Sequence, residues 1–216
     1  MHQHRHFILH KPAGYLSQLV SNQNKQRKKK LLGALHDFPE GTMPVGRLDE
    51  QSEGLLLLTT DGKTSEQVRS KKVEKEYYAQ VDGEITTEAV AQLKSGVEIS
   101  IYGKKYMTLP CRAVRLPAPP GFEPRKKSIR SDRHGPTSWL SVTITEGKFR
   151  QVRKMTAAAG YPTLRLVRVR IGHITLSNMP PGAITEVESF GFLPASPENG
   201  RTRLEDAGDG GGCRNI

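Results

Sequence analysis

Gly46-Arg47-Leu48-Asp49-Glu50-Gln51-Ser52-Glu53-Gly54-Leu55-Leu56-Leu57-Leu58-Thr59-Thr60-Asp61-Gly62 is the stretch on which the reading of this chain turns. It sets an acidic loop between two strands, predicted over Met43 to Arg47 and Gly54 to Thr60, the second stopped by Asp61-Gly62. A carboxylate in such a loop can be held by rigid elements while staying open to a cleft. Asp49 follows a cation, Arg47, and an apolar residue, Leu48. Taken alone, an Asp in a loop reads as a turn or cap residue.

Upstream, Arg5 to His10 reads as a strand stopped by Lys11-Pro12-Ala13-Gly14. Residues 21–30 are polar and basic without periodicity, which predicts a mobile loop, and Leu31 to His36 predicts a short helix. Downstream, Lys63 to Ser70 predicts a helix, and the alternation of Tyr77, Ala79 and Val81 a half-buried strand. Thr86 to Lys94 predicts a second helix ending at Gly96; strands follow over Val97 to Ile101 and Cys111 to Leu116. The proline-rich, basic segment 117–136 predicts a long functional or disordered loop. Trp139 to Thr145 reads as a strand. Phe149 to Ala159 reads as a helix with Val152, Met155 and Ala159 on one stripe and Arg150, Arg153 and Lys154 on another face. Thr163 to Leu176 is β-rich. The expected fold is α+β, with a mostly antiparallel central sheet and flanking helices in a single domain over residues 1–195. A disordered Gly-rich tail is expected over residues 196–216.

The chain of 216 residues carries 33 Lys and Arg against 22 Asp and Glu, a net charge of +11. The charge falls in four clusters: Lys25 and Arg27 to Lys30; Arg125 to Arg133; Lys148 to Lys154; and Arg165 to Arg170. Any one could be a solvated surface, but together they favour a phosphate-binding one. The longest apolar run is Leu55 to Leu58, far short of the roughly 18 residues of a membrane span. Cys111 and Cys213 lie outside any CxxC pair, which argues against a disulfide framework or a cysteine zinc site and fits a cytoplasmic location. His2, His4 and His6 alternate at a frayed terminus, so no metal is expected there.

The stretch 46–62 resembles the signature of RNA pseudouridine synthases of the family typified by ribosomal small-subunit pseudouridine synthase A, G-R-L-D-x-x-[ST]-E-G-L-L-[LVI]-L-T. Three further blocks follow the family's order. They are Lys11-Pro12-Ala13-Gly14, Lys75-Glu76-Tyr77, and Glu146-Gly147-Lys148-Phe149-Arg150-Gln151-Val152-Arg153-Lys154-Met155. The closing segment Gly160 to Gly172 is similar too, so the likeness spans about residues 5 to 190. It implies a catalytic fold in two lobes around a cleft, no cofactor, and conversion of uridine to pseudouridine after the base leaves its stack. It implies a catalytic set of Asp49, Tyr77 and Arg153: Asp49 attacking C1′ or removing a ribose proton, Tyr77 stacking on the extruded uracil, and Arg153 paired with Asp49. Arg150 is the neighbouring alternative for that pairing. Arg47, Lys11, Lys148, Arg150 and Lys154 are the expected RNA contacts.

Many relatives carry an S4-type RNA-binding module before K-P-x-G. Here that turn begins at Lys11, so a bare catalytic domain is expected. Together with Pro136-Thr137-Ser138-Trp139-Leu140, this is similar to the branch acting on 23S rRNA near the peptidyl-transferase centre. The expected partner is therefore 23S rRNA or a large-subunit precursor, met by a monomer away from membranes. The competing reading is a non-catalytic RNA-binding or ribosome-assembly protein. Such a binder has no use for an Asp that repels phosphate.

Overall fold

The computed structural model describes residues 3–20, 29–70, 73–125, 129 and 134–192. Its chain begins with β1 (His6–Lys11), β2 (Tyr15–Leu16), β3 (Lys30–Leu31), β4 (Met43–Pro44) and β5 (Glu53–Thr59). Helix α1 (Gly62–Arg69), β6 (Lys75–Asp82) and α2 (Thr87–Ser95) follow. Then come β7 (Glu98–Ile101), β8 (Lys104–Met107), β9 (Arg112–Arg115) and β10 (Thr137–Ile144). Helix α3 (Gln151–Ala158), β11 (Thr163–Ile171), β12 (Ile174–Thr175) and β13 (Ile184–Val187) complete it.

One nine-stranded sheet organises these elements, in the order β13-β1-β5-β11-β6-β10-β9, with β12 on β11 and β4 on β5. All its named pairings are antiparallel except β5 with β11. The expected α+β class and mostly antiparallel sheet are therefore observed.

The Leu run explains why β5 sits inside the sheet. Successive strand residues face opposite sides. Leu55 and Leu57 enter one core with Val45, Val68, Val167 and Ile171. Leu56 and Leu58 enter another with Phe7, Leu9 and Leu32. A strand apolar on both faces needs cover on both. A third core lies under α2 and α3, where Val90, Leu93, Val152 and Met155 meet Ala79, Val81, Leu140 and Val142. Gly54 is required where β5 meets β11. It has φ +101°, and a Cβ there would run into the Arg168 backbone.

Several expectations change. The predicted helix at 31–36 shrinks to a 3-10 turn at Leu32–Ala34. Strand β8 had no strong alternation to announce it; its burial is slight because it pairs only with β7 in a separate hairpin. Helix α3 starts at Gln151 rather than Phe149, because Arg150 takes a left-handed conformation, φ 52°, at its N-cap. The first part of the proline-rich segment is packed: Phe122 lies against Tyr78 and Trp139, and Arg125 bonds Glu53. The end of the basic loop is also tied down, with Lys30 in β3 beside β2 and Lys29 bonded to Glu50 at 2.8 Å. Most of the basic loop (21–28), much of the second cluster (126–128 and 130–133) and the Gly-rich tail lie outside the described residues.

Candidate active site

The loop between β4 and β5 carries Asp49, and it is anchored at both ends. Ser17 Oγ donates to the Leu48 carbonyl at 2.8 Å and accepts from the Leu48 N–H at 3.0 Å. On the other side, the Lys11 ammonium donates to the carbonyls of Pro12 (2.9 Å), Glu50 (3.4 Å) and Ser52 (2.7 Å). The Gly14 N–H reaches the Glu50 carbonyl at 2.7 Å. The Lys11-Pro12-Ala13-Gly14 turn thus clamps the backbone just after Asp49. Lys11 was expected to touch RNA, but it has no exposed surface. Its charge is spent on backbone carbonyls, and burial pushes its pKa down to about 8, partly opposed by Asp49 and Glu53.

Within the loop, the Asp49 carboxylate is crowded with donors. Oδ2 accepts from Arg153 Nε at 3.0 Å and Ser52 Oγ at 2.8 Å, and lies 3.3 Å from Arg150 Nη1. Oδ1 accepts the Gln51 N–H at 3.0 Å. Arg153 also donates to Ser52 Oγ and the Thr163 carbonyl, at 3.2 and 3.3 Å, so its fork is fixed from several sides. Burial works against ionisation of Asp49, yet Arg153, the Ser52 hydroxyl and Arg150 outweigh it and hold the carboxyl below its ordinary range. Asp49 is thus a carboxylate at neutral pH.

The turn before α3 aims those arginines. Glu146 accepts from Gln151 Nε2, the Leu109 N–H and the Tyr106 hydroxyl, and Gln151 Oε1 accepts the Lys148 N–H at 3.0 Å. This network holds the left-handed turn at Arg150, a conformation a non-glycine residue keeps only when its surroundings impose it. The basic face expected on the helix is divided. Arg153 points to Asp49, whereas Lys154 reaches the Ser100 carbonyl at 2.6 Å.

Asp49 opens on a cleft of about 850 Å³ lined from both halves of the sheet, with Val45, Val68 and Ile171 on one side and Tyr77, Ile144, Val152 and Leu166 on the other. Tyr77 is half-buried in the middle of β6, between Val142 and Arg168. Arg47, Lys148 and Arg150 are exposed and share the lining. Asp49, Tyr77, Arg47, Lys148 and Arg150 therefore meet at one cleft, with Arg153 directly behind Asp49.

Two of the three cations of the fourth basic cluster, Arg165 and Arg170, are held by carboxylates, and the third, Arg168, is buried in the lining of the cleft. Arg165 binds Glu53, Arg168 donates to the Leu55 carbonyl, and Arg170 binds Glu74 and Glu76. Sequence reading passed over Ser17 and Ser52 as site residues. Ser52 had a signal, since it falls at the [ST] position of the signature, three residues after Asp49. Among the described residues, no group of His, Cys, Asp and Glu could hold a metal ion. No helix among them is long and apolar enough to cross a membrane.

An ionised carboxylate sharing a cleft with an aromatic ring and a cationic rim defines a site for polar chemistry on an anionic, base-bearing polymer. Comparison with known proteins gives that class a family. Residues 5–158 match the RNA pseudouridylate synthases. A "Ribosomal large subunit pseudouridine synthase E" of Xanthomonas campestris is 41% identical over 177 residues, covering 81% of this chain and 91% of the relative. One of the same description from Vibrio parahaemolyticus is 38% identical over 185 residues, covering 84% and 73%. A crystal structure of a pseudouridylate synthase shares the fold at a TM-score of 0.67 with 24% identity, over 87% of this chain and 71% of that one. The chain belongs to the RNA pseudouridylate synthase family and is an isomerase of RNA uridine.

Proposed function

We propose that this chain converts a uridine of 23S rRNA to pseudouridine, acting as a monomer in the cytoplasm, with Asp49 as the catalytic carboxylate. The observation that carries the reading is the Asp49 carboxylate itself, kept ionised by Arg153 and Arg150 at the wall of a cleft that also holds Tyr77. The names of the relatives from Xanthomonas and Vibrio support a large-subunit substrate.

The reaction breaks the N1–C1′ bond, turns the uracil and joins C5 to C1′. A proton leaves C5 and N1 gains one, so no atoms or electrons are exchanged with a co-reactant. The base must leave its stack to reach Asp49, and unstacking costs a few kcal/mol. Tyr77 offsets part of that by stacking on the extruded uracil. Asp49 then acts on the ribose, by attack at C1′ or by removal of a ribose proton. Arg153 is a positioning residue, fixing the carboxylate through Oδ2. Arg47, Lys148 and Arg150 contact the RNA backbone around the extruded nucleotide.

Purified protein incubated with 23S rRNA, 16S rRNA, tRNA and mature large subunits, followed by mapping of new pseudouridines, tests this. A single new site in 23S rRNA is expected. Modification confined to 16S rRNA or tRNA would remove the substrate assignment and leave the chemistry standing. No pseudouridine in any of them would favour a binding protein.

A further inference from the structure

Strands β7 and β8 form a hairpin whose last pair is Ile101 with Lys104, leaving Tyr102-Gly103 as a two-residue turn. Both turn residues have positive φ, 49° and 80°. Such turns favour Asn-Gly, because Asn tolerates the left-handed conformation and a bulky ring does not. Tyr102 is nonetheless there, and it is 82% exposed. Its ring is stacked on Phe149, itself half-exposed, with centroids 5.5 Å apart and planes 19° apart. Lys154 Nζ lies 5.2 Å from the Phe149 ring and is fixed by the Ser100 carbonyl, so the hairpin and the start of α3 are joined by this contact. Tyr102 and Phe149 both line the cleft that holds Asp49 and Tyr77. Lys148 and Arg150 flank Phe149 and share the lining, and Lys104 and Lys105 follow the turn in sequence, Lys105 being paired with Glu98.

An exposed aromatic held in a strained turn is maintained against both solvent and backbone preference. A ring with a free face among cations matches the composition of a single-stranded nucleic acid platform, where bases stack on aromatics and lysines follow the phosphates. We propose that Tyr102, backed by Phe149, stacks an unpaired nucleobase of the RNA strand that flanks the extruded uridine. This rests on the reading of the cleft as an RNA site and adds a second base-binding position on its lip. Tyr77 takes the reacting base inside the cleft, and Tyr102 takes a neighbour outside it. Because every base has a π-face, the position contributes affinity and strand direction with little sequence preference.

The test compares wild type, Tyr102→Phe, Tyr102→Asn and Phe149→Ala as full-length proteins. The readouts are filter binding to a 23S rRNA transcript across a salt series, steady-state pseudouridine formation on the same transcript, and thermal unfolding. Tyr102→Asn should raise Kd and KM about tenfold, the scale of one lost base–aromatic stack, with kcat within about twofold. Its unfolding midpoint should hold or rise, because Asn suits the left-handed turn. Tyr102→Phe should stay within about twofold of wild type, and Phe149→Ala should fall between. The slope of log Kd against log salt should be unchanged in Tyr102→Asn, because no phosphate contact is removed. A Kd for Tyr102→Asn within twofold of wild type overturns the proposal, as does a loss of affinity explained wholly by a shallower salt slope. If wild type binds the transcript but forms no pseudouridine, the assignment of substrate fails, and the Kd series still decides the stacking.

Discussion

Asp49 and Glu53 stand four residues apart, and each is gripped by two guanidinium groups, yet they do opposite things. The Asp49 end of the segment faces the cleft, with its side chain 16% exposed and one of its two arginines, Arg150, 41% exposed. The Glu53 end is closed. Its carboxylate is 4% exposed between Arg125 at 2.6 Å and Arg165 at 3.0 Å, and Arg165 also donates to the Glu123 carbonyl and lies against Phe122. The same carboxylate–arginine chemistry is thus tuned by what lies in front of it. Open to a cleft, it supplies a poised charge. Sealed by the proline-rich segment, it joins β5, β11 and residues 122–125 into one body.

The largest effect expected from substituting either carboxylate is on turnover. Asp49→Asn keeps the shape, removes the charge, and should lower kcat by at least about 10³-fold, with RNA affinity within a few-fold and stability within about 1 kcal/mol. Pseudouridine formation near the wild-type rate would contradict the role given to Asp49. Glu53→Gln should do the reverse. Removing one partner from a buried ion network typically costs about 3–5 kcal/mol. A urea titration should therefore show a loss of about 3 kcal/mol, with kcat per folded molecule little changed.

A finer contrast separates the two arginines on Asp49. Arg153→Lys cannot reproduce bonds to Asp49, Ser52 and Thr163 together, and should reduce kcat about tenfold to a hundredfold. Arg150→Lys, exposed and making one contact to Asp49, should change kcat only a few-fold and act mainly on KM. The pH profile gives the sign. The Asp49 pKa is lowered, so wild-type activity should persist down through the ordinary carboxylate range and fall only below it. With Arg153→Lys the acid limb should move to higher pH.

The smallest expected effect concerns Lys11, the cation behind both carboxylates. Its pKa is about 8 in the folded state against 10.5 in an exposed lysine, so between those values the unfolded chain holds more protons. Wild-type stability should therefore rise with pH across that window relative to Lys11→Met, in paired unfolding curves at pH 7.5 to 10. An unchanged difference would mean that Lys11 stays protonated across that window in the folded protein, as an exposed lysine does.

The comparison also shows what local pattern conveys. From the residues around it, Asp49 and Glu53 look alike: both are acidic positions in a polar loop ahead of a leucine run. The four-block resemblance singled out Asp49, and the Ser at position 52 was visible within it, but nothing adjacent indicated that Lys11 is buried beneath that loop. The clusters of positive charge misled for the same reason. Arg165, Arg168 and Arg170 are near neighbours in sequence, while their partners Glu53, the Leu55 carbonyl, Glu74 and Glu76 lie on other strands. A count of cations reports net charge and is silent on which charges are already neutralised.

Sequence alone determined the alternating strands, the stop of the leucine strand at Asp61-Gly62, the helix that starts near Thr86, and the residues of the signature blocks, because periodicity and turn chemistry act over a few residues. Tertiary structure decided which carboxylate is open, which arginines face the cleft, that Lys11 is internal, and that Tyr102 meets Phe149. Each of these depends on contacts between residues far apart in the chain. Their free energy is set by burial and by the geometry of partners that only the folded sheet brings together.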